Sequence, residues 1–322
     1  MSIVENKVLA PYTSWRVGGP ARFFTEATTT SEVRRALRWS QERTLPVLLL
    51  GGGTNLLICD EGFDGLVLRY RARSWALENQ GTTGLLSLAA GTPIGHLAWI
   101  IGSQGWSNLE WAAGLPGSVG GAIYGNAGCY GGSMAGVLRR AWLLIEDQVQ
   151  EWSVEHFAYG YRSSVLKQPR RFSSRRSEEG EGAPASDPDR TCPRPGAVMP
   201  AVILSAELVL KRQDAGSVEE TMKAIIANRK ERTPVGHSCG SVFKNPPGSQ
   251  VTAGQLLDQA GLKGTRIGAA EISQRHANYL LNLGGARSDD ILRLIELARN
   301  TVLRQFGIAL ELEIQVVGPV RP

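Results

Sequence analysis

Three consecutive glycines at positions 51–53 follow the apolar run VLLL and precede Thr54 and Asn55. Glycine adopts positive φ easily and leaves its amide N–H uncovered, so such a run after a buried strand can form a nest for a phosphate oxygen. Thr54 and Asn55 add hydrogen-bonding side chains at the same place. The stretch lacks the third glycine of GxGxxG and the Gly-Lys-Ser/Thr of a P-loop, so a simple tight turn is an open alternative.

A second glycine-rich stretch, AGLPGSVGGAIYGNAG, occupies residues 113–128. It again combines glycine with small and hydrogen-bonding residues, and its composition predicts neither a helix nor a regular strand. Two such loops on different units can hold opposite ends of a long pyrophosphate-linked cofactor. The pair is therefore stronger support for a nucleotide-cofactor site than either loop alone.

Hydrophobic periodicity and capping residues predict the helices and strands that surround these loops. Residues 1–70 read as a β-α-β unit, with a helix capped by Thr30 or Ser31 and the run VLLL as a strand buried on both faces. Residues 71–213 are rich in strands, and residues 214–309 are helical. In that last unit we predict capping boxes at Ser217 with Glu220 and at Thr252 with Gln255, and a final helix ending at Gly307.

Length and composition are those of a globular protein with two or three packed units. The chain has 322 residues, of which 42% are hydrophobic and 20% charged, and its 38 glycines exceed the average share of about 7%. The net charge of +5 is spread among nearly as many acidic residues. This pattern suits an anionic small molecule and makes nucleic acid the least favoured partner.

Targeting and cysteine patterns favour a cytoplasmic protein. The N-terminus lacks the features of a signal peptide, and no window of 18 uncharged apolar residues suggests a membrane span. The four cysteines, at positions 59, 129, 192 and 239, are far apart without a CxxC motif, so we expect reduced thiols and no metal site. Residues 168–199 are rich in Arg, Ser, Glu, Pro and Gly and are predicted to be a mobile insertion.

Seven motifs occur in the order found in one enzyme family: SWRVGGPA, PVLLLGGGTNLL, GLPGSVGGAIYGNAGCYG, YRSSVLK, CGSVFKNP, the stretch AGQLLDQAGLKGTRIGAAEISQRHANYLLN, and FGIALELEIQVVG. They resemble the UDP-N-acetylenolpyruvoylglucosamine reductases of peptidoglycan synthesis, in the shorter, second type that lacks an extra tyrosine-bearing capping loop. The resemblance covers nearly the whole chain except residues 168–199.

The resemblance implies an α+β fold with two FAD-binding units of the vanillyl-alcohol-oxidase type, at residues 1–70 and 71–213. A smaller α+β substrate-binding domain would follow at 214–309, and a C-terminal strand at 310–322 would carry a catalytic glutamate. The implied FAD-binding residues are Gly51, Gly52, Gly53, Thr54, Asn55, Leu56, Gly114, Pro116, Gly117, Val119, Gly120, Gly121, Asn126, Ala127 and Gly128.

The implied activity uses FAD and NADPH. In the family NADPH reduces the flavin and leaves, and the enolpyruvyl UDP-sugar then enters and is reduced to UDP-N-acetylmuramate. The oligomeric state is left open. Two other functions are alternatives to a reductase. The protein could be a non-catalytic nucleotide-binding module, or it could bind nucleic acid through the arginines of residues 168–199.

Three residues match the catalytic residues of the family. Arg162 in YRSSVLK would hold the substrate carboxylate, Ser241 in CGSVFKNP would donate the proton, and Glu313 in LELEI would assist near the carboxylate. Without the motifs, the local sequence would favour structural roles: Arg162 as a surface arginine, Ser241 as an ordinary serine in a turn, and Glu311 and Glu313 as solvent-exposed acids. Glu311 is expected on the same side of the C-terminal strand as Glu313.

Several further residues are expected near the substrate. Lys244, Asn245 and Arg232 are implied to bind the nucleotide, and which of Arg229, Lys230, Arg232 and Lys263 meets the diphosphate is left open. His276 is interpreted as structural or as a neighbour of the nucleotide site. Trp106 and Trp111 are expected to pack in the core rather than to stack on a flavin.

Overall fold

The computed structural model describes residues 1–167 and 200–318. Within these ranges the α-helices are α1 (Thr30–Gln41), α2 (Ile94–Gly102), α3 (Val119–Gly125), α4 (Ala215–Arg232), α5 (Ala253–Gln259) and α6 (Ser288–Phe306). The insertion predicted at 168–199 lies outside the described residues. In the described part of the chain, no helix combines the length and apolarity needed to cross a membrane.

The strands of the same ranges are short apart from β13. They are β1 (Val4–Val8), β2 (Pro20–Ala27), β3 (Val47–Leu50), β4 (Leu56–Ile58), β5 (Phe63–Tyr70), β6 (Trp75–Gln80), β7 (Thr83–Ala89), β8 (Trp106–Ser107), β9 (Gly128–Cys129), β10 (Gly132–Ser133), β11 (Leu138–Ile145), β12 (Gln148–Ser153), β13 (Val202–Arg212), β14 (Arg266–Ile267), β15 (Ala270–Ile272), β16 (Leu280–Asn282) and β17 (Gln315–Val317).

The N-terminal sheet has the strand order β1-β2-β5-β3, with β5 parallel to both β2 and β3. Helix α1 covers it through Val33 and Ala36, as the β-α-β interpretation predicts. Strand β3 lies at the edge of the sheet, and Leu48 and Leu49 are only partly buried. The expectation of a strand buried on both faces is therefore wrong, because part of this strand faces a large cavity.

Helix α1 begins one residue earlier than its sequence suggests. Its N-cap is Thr29, whose hydroxyl accepts from the Glu32 N–H while the Glu32 carboxylate accepts from the Thr29 N–H. The predicted caps, Thr30 and Ser31, are wrong because only Thr29 stands three residues before a glutamate. Residues 28–31 all carry a hydroxyl group, so each of them is a candidate N-cap in the sequence.

The central sheet is antiparallel, in the order β12-β11-β13-β7-β6, and β8 pairs with the end of β13. Helices α2 and α3 contribute to the hydrophobic core on this sheet. Trp106 and Trp111 are both buried in that core, as predicted. This core supports the second glycine-rich stretch from behind.

The second glycine-rich stretch contains a helix, contrary to the prediction from its composition. Ser118 caps α3 by accepting from the Gly121 N–H, and Val119, Ala122 and Ile123 form its buried face. A side-chain cap and three apolar residues at helical spacing outweigh the cost of the glycines. The helix ends at Asn126, whose φ of +46° lies in the left-handed region.

The C-terminal unit combines the sheet β14-β15-β16 with α5 and α6 around one hydrophobic core. Trp15 from the N-terminal segment is fully buried in that core, and its Nε1–H donates to the Leu280 carbonyl at 2.7 Å. Strand β17 then pairs in parallel with β4, directly after the first glycine loop. The chain end therefore returns to the N-terminal unit, and the domain boundaries at 70, 213 and 309 stay predictions.

Three further helix caps were predicted, of which two are confirmed and one is wrong. Thr252 and Gln255 form the predicted capping box of α5, and Gly307 at φ +68° ends α6. Helix α4, however, starts at Ala215 because Asp214 accepts from the Ser217 N–H. Ser217 is thus the third residue of the helix rather than its cap.

Candidate active site

A cavity of about 2290 Å³ is lined by residues from all three parts of the fold. Its wall includes both glycine loops, the turn after β12, the end of α4 and the segments before α5 and β17. Ordinary small-molecule pockets measure roughly 300–1,000 Å³. The cavity therefore has room for a long cofactor together with a second ligand.

The two glycine loops touch each other at the cavity wall. A Cβ atom on Gly52 would lie 2.9 Å from the Gly117 Cα, and one on Gly51 would lie 2.7 Å from the Ser118 Oγ. Gly53 at φ +63° and Gly117 at φ +115° hold backbone conformations that other residues rarely adopt. Glycine is thus required by the close approach of two backbones as well as by their dihedral angles.

Most of the predicted FAD-binding residues lie on the cavity wall: Gly51, Gly52, Gly53, Thr54, Asn55, Leu56, Gly114, Pro116, Gly117, Gly120, Gly121, Ala127 and Gly128. Val119 does not, because its side chain points into the core as part of α3. Asn126 does not either, since its side chain donates to the Gly160 carbonyl and accepts from the Ala135 N–H. Both positions support the loop from behind.

Arg162 and Glu313 form an ion pair at the cavity, with Arg162 Nε 2.7 Å from Glu313 Oε1. The Nε–H has no acceptor aligned for a hydrogen bond, so the contact is chiefly electrostatic. Nη1 donates to the Gly128 carbonyl at 2.7 Å, which ties the guanidinium to the second glycine loop. Among residues 1–167 and 200–318, no hydrogen bond is formed by Nη2.

Glu313 is the buried acid of the LELEI segment. Its side chain is 16% exposed, whereas that of Glu311 is 68% exposed and pairs with Lys244 at 3.1 Å. The segment bends before β17 begins, so the expectation that both acids face one side of a strand is wrong. Burial raises the pKa of the Glu313 carboxyl, and the positive charges of Arg162 and Lys167 oppose that rise.

Asn55 links the first glycine loop to this acid. Its side-chain Nδ2–H donates to the backbone carbonyl of Glu313 at 3.0 Å. The backbone carbonyl of Asn55 accepts from the Gln315 N–H at 2.9 Å. Gln315 in turn donates to the Tyr124 hydroxyl at 3.0 Å. The asparagine therefore helps to position the acid.

Ser241 lines the same cavity and is half-buried, directly after Gly240 at φ +79°. The two residues after Ser241 are anchored through their N–H groups: Val242 donates to the Asn278 carbonyl, and Phe243 donates to the Asn278 Oδ1. These bonds fix the backbone that presents the Ser241 hydroxyl. The structure thus brings Arg162, Ser241 and Glu313 to one cavity.

The predicted substrate-binding residues differ in their surroundings. Arg232 lines the cavity together with Arg229 and Lys230, whereas Lys263 pairs with Asp258 at 2.6 Å. Asn245 lines the cavity, and its side-chain oxygen accepts from the Ala253 N–H at the start of α5. Lys244 is engaged by Glu311. The cavity therefore has three cations along one wall that could meet a diphosphate.

Some residues that line the cavity are not among those singled out from the sequence. Lys167, Tyr124 and Gln315 all line the cavity close to the ion pair. His276 also lines it, as a neighbour of the nucleotide site would, and burial lowers the pKa of its imidazole. Lys167 stands in the motif YRSSVLK five residues after Arg162, and this proximity was the available signal.

The fold and the cavity agree with a match to a known cofactor domain. The family model described as FAD binding domain matches residues 21–149, which include both glycine loops. The class of protein is thus an FAD-binding oxidoreductase, and the predicted α+β fold of the vanillyl-alcohol-oxidase type with a smaller α+β domain is confirmed.

Relatives narrow the class to one family. The model described as UDP-N-acetylenolpyruvoylglucosamine reductase, C-terminal domain, matches residues 229–317. The UDP-N-acetylenolpyruvoylglucosamine reductase of Chloroflexus aggregans is 46% identical over 319 residues, 98% of each chain. That of Synechococcus elongatus is 39% identical over 312 residues, 96% of this chain and 93% of the relative. The chain belongs to the UDP-N-acetylenolpyruvoylglucosamine reductase family, as its motifs predict.

A solved structure supports the same assignment. The crystal structure of the UDP-N-acetylenolpyruvylglucosamine reductase from Thermus caldophilus superposes with a TM-score of 0.76 at 31% identity. The superposition covers 98% of each chain. The similarity therefore includes the C-terminal part of the chain as well as the part that matches the FAD binding domain.

Proposed function

We propose that this protein reduces UDP-N-acetyl-3-O-(1-carboxyvinyl)-glucosamine to UDP-N-acetylmuramate for peptidoglycan synthesis, with FAD as its bound cofactor and NADPH as the electron source. The observation that carries the proposal is the Arg162–Glu313 ion pair, 2.7 Å apart, in the cavity that Ser241 and both glycine loops also line. Cytoplasmic location follows from the same proposal, since sugar nucleotides are substrates of cytoplasmic synthesis.

The two glycine loops, at residues 51–53 and 113–128, fit the pyrophosphate-linked cofactor. Side chains at Gly51 and Gly52 would collide with the second loop, so glycine lets the two loops meet at the cavity. In the second loop the N–H groups of Val119, Gly120 and Gly121 bond within the protein, so the phosphate oxygens are assigned to the N–H groups of the first loop. FAD, when bound there, supplies a hydride for the β-carbon of the enolpyruvyl group. The residues proposed to hold it are those of both loops that line the cavity.

The remaining steps belong to side chains of this chain. Addition of hydride to the β-carbon places negative charge on the α-carbon and carboxylate, so the site must stabilise an enolate. Arg162 supplies the fixed positive charge, and its Nη2 is available for the carboxylate. Glu313 orients that guanidinium, and Ser241 donates the proton to the α-carbon, completing the addition of two hydrogens across the double bond.

The diphosphate would meet the positive wall of the cavity. Arg229, Lys230 and Arg232 come from the last turn of α4 and line the cavity. Lys244 is not among the residues that line the cavity, so it would reach the diphosphate only by exchanging its exposed partner Glu311 for a phosphate oxygen; weak surface ion pairs allow such an exchange. We assign residues 214–309 to substrate binding on this basis, with residues 1–70 and 71–213 holding the cofactor.

The test is a steady-state assay on purified protein reconstituted with FAD. NADPH oxidation should depend on the enolpyruvyl sugar nucleotide, and mass spectrometry should show a product heavier than the substrate by two hydrogen atoms. NADH is measured in parallel to define the preferred electron source. FAD binding without any sugar-dependent NADPH oxidation would instead identify a non-catalytic nucleotide-binding module.

A further inference from the structure

Lys167 is a cavity-lining cation to which the proposed reaction assigns no role. It ends a short 3₁₀ turn, Val165–Lys167, and its Nζ donates to the backbone carbonyl of Arg162 at 2.6 Å. The ammonium also lies 5.9 Å from the centre of the Tyr124 ring. Its side chain therefore reaches back along the chain to the residue that carries the guanidinium of the ion pair.

The turn held by Lys167 has an unfavourable backbone conformation. Arg162 has a φ of +55°, in the left-handed region, which is unfavourable for a residue with a Cβ. Gly160 and Ser163 exchange two backbone hydrogen bonds around it, at 3.1 and 3.2 Å. The bond from Lys167 to the Arg162 carbonyl adds a third restraint, so the lysine helps to keep the guanidinium aimed at Glu313.

The charged groups that act on Lys167 are Lys244, Glu313 and Arg162. Burial lowers the pKa of the Lys167 ammonium to about 8, with Lys244 and Arg162 adding to the effect and Glu313 opposing it. In the other direction, the Lys167 charge opposes the rise in the pKa of Glu313 that burial causes. The two groups are thus coupled, and the ammonium is charged below about pH 8.

We propose that Lys167 is a positioning residue of the reductase reaction: it fixes the left-handed turn of Arg162 and adds a second positive charge beside Glu313. The inference rests on the proposed function, because the benefit of a fixed guanidinium and an ionised Glu313 is realised when the substrate carboxylate binds. A lysine that only filled space would influence neither the ionisation of Glu313 nor the chemical step.

The first test measures ionisation directly in the FAD-reconstituted protein. In protein labelled with ¹³C at the glutamate carboxyl carbon, the Glu313 resonance is the one missing from E313Q. Its titration midpoint should move to higher pH in K167M, because one opposing positive charge is lost. K167R should restore a midpoint near that of the wild type, and K211Q, which changes an exposed lysine, should leave it unchanged. An unchanged midpoint in K167M overturns the proposal.

A second measurement needs no destabilised variant. In wild-type protein labelled with ¹³C at lysine Cε, the resonance missing from K167R should titrate near pH 8. A midpoint near the ordinary lysine pKa of about 10.4 would show that the side chain faces solvent, and would overturn the proposal even if K167M failed to fold.

A third measurement, of flavin reoxidation, distinguishes a failure of the proposal for Lys167 from a failure of the proposed function. In K167M, reoxidation of the reduced flavin by the sugar nucleotide should slow at least tenfold, and the acid limb of the rate profile should shift to higher pH. The exposed-lysine variant K211Q should reoxidise at the wild-type rate. A wild-type protein that never reduces the sugar nucleotide would contradict the proposed function, whereas the two NMR titrations would still test Lys167. Equal reoxidation rates in K167M and wild type would contradict the proposal for Lys167 alone.

Discussion

Arg162 and Glu313 meet at 2.7 Å although one follows β12 and the other stands just before β17. The contact exists because β17 pairs in parallel with β4 and thereby brings the C-terminal segment back to the first glycine loop. Asn55 strengthens the junction by donating to the Glu313 carbonyl. A buried acid paired with one arginine at the wall of a cofactor-sized cavity is the feature on which the proposed chemistry depends.

Replacing Arg162 by Met should abolish the stabilisation of the enolate and leave Glu313 without its pair. We expect the rate of sugar-nucleotide reduction to fall roughly 10²- to 10³-fold, as for the loss of one charge-stabilising donor. Flavin binding and flavin reduction by NADPH should persist, and rapid mixing without oxygen measures each step. R35M, which changes an exposed arginine on α1, is the control. Equal losses in both half-reactions of R162M would indicate misfolding instead.

Replacing Ser241 by Ala removes the proposed proton donor. The reaction with the sugar nucleotide should slow by roughly 10²- to 10⁴-fold, while flavin reduction by NADPH is unchanged. S103A, which removes an exposed hydroxyl at the end of α2, provides the matched comparison. Turnover of S241A at the wild-type level would remove this serine from the mechanism.

Replacing Gly52 by Ala should weaken FAD binding. The added methyl group would lie 2.9 Å from the Gly117 Cα and 3.5 Å from the Ser118 N, so the two loops must separate. We expect at least a tenfold increase in the Kd for FAD, about 1.4 kcal/mol, measured by titrating apoprotein. Gly136→Ala is the control, because a Cβ there meets no atom within 4 Å. Similar FAD affinities of the two variants would contradict FAD binding at the contact between the two glycine loops.

Cys239 should make stability depend on pH in the alkaline range. Burial raises the pKa of its thiol to about 12, above the reference value of 9.0, so the folded state keeps its proton while the unfolded state loses it. The stabilisation is present below pH 9 and is lost as pH rises toward 12, at up to about 1.4 kcal/mol per pH unit. Chemical denaturation at several pH values should show a steeper loss for wild type than for C239A. Parallel curves would contradict the burial of this thiol.

The glycine loops illustrate what the sequence could predict. Runs of glycine beside Thr54 and Ser118 indicate a backbone that a ligand approaches, and the cavity lies there. Helix α3 was missed because glycine content outweighed the Ser118 cap in the interpretation. The contact of Gly52 with Gly117 could not be foreseen, since it joins loops from two different sheets.

In the candidate site, too, some features could be predicted from the sequence and others could not. Motifs identified Arg162, Ser241 and Glu313, but the difference between buried Glu313 and exposed Glu311 depends on a bend that alternation along a strand does not predict. Lys167 resembles a solvated lysine in the sequence. The role proposed for it depends on its burial and on its bond to the left-handed turn of Arg162, which the sequence does not show.

The most direct measurement follows the oxidative half-reaction without oxygen. Wild-type protein carrying FAD is reduced with NADPH, freed of nucleotide and mixed with UDP-N-acetyl-3-O-(1-carboxyvinyl)-glucosamine while flavin absorbance is recorded. We predict complete reoxidation with one UDP-N-acetylmuramate formed per flavin, and reoxidation slowed at least 10²-fold in R162M at equal flavin content. A flavin that stays reduced in the wild type, or that reoxidises equally fast in R162M, would contradict a reductase site built on Arg162 and Glu313.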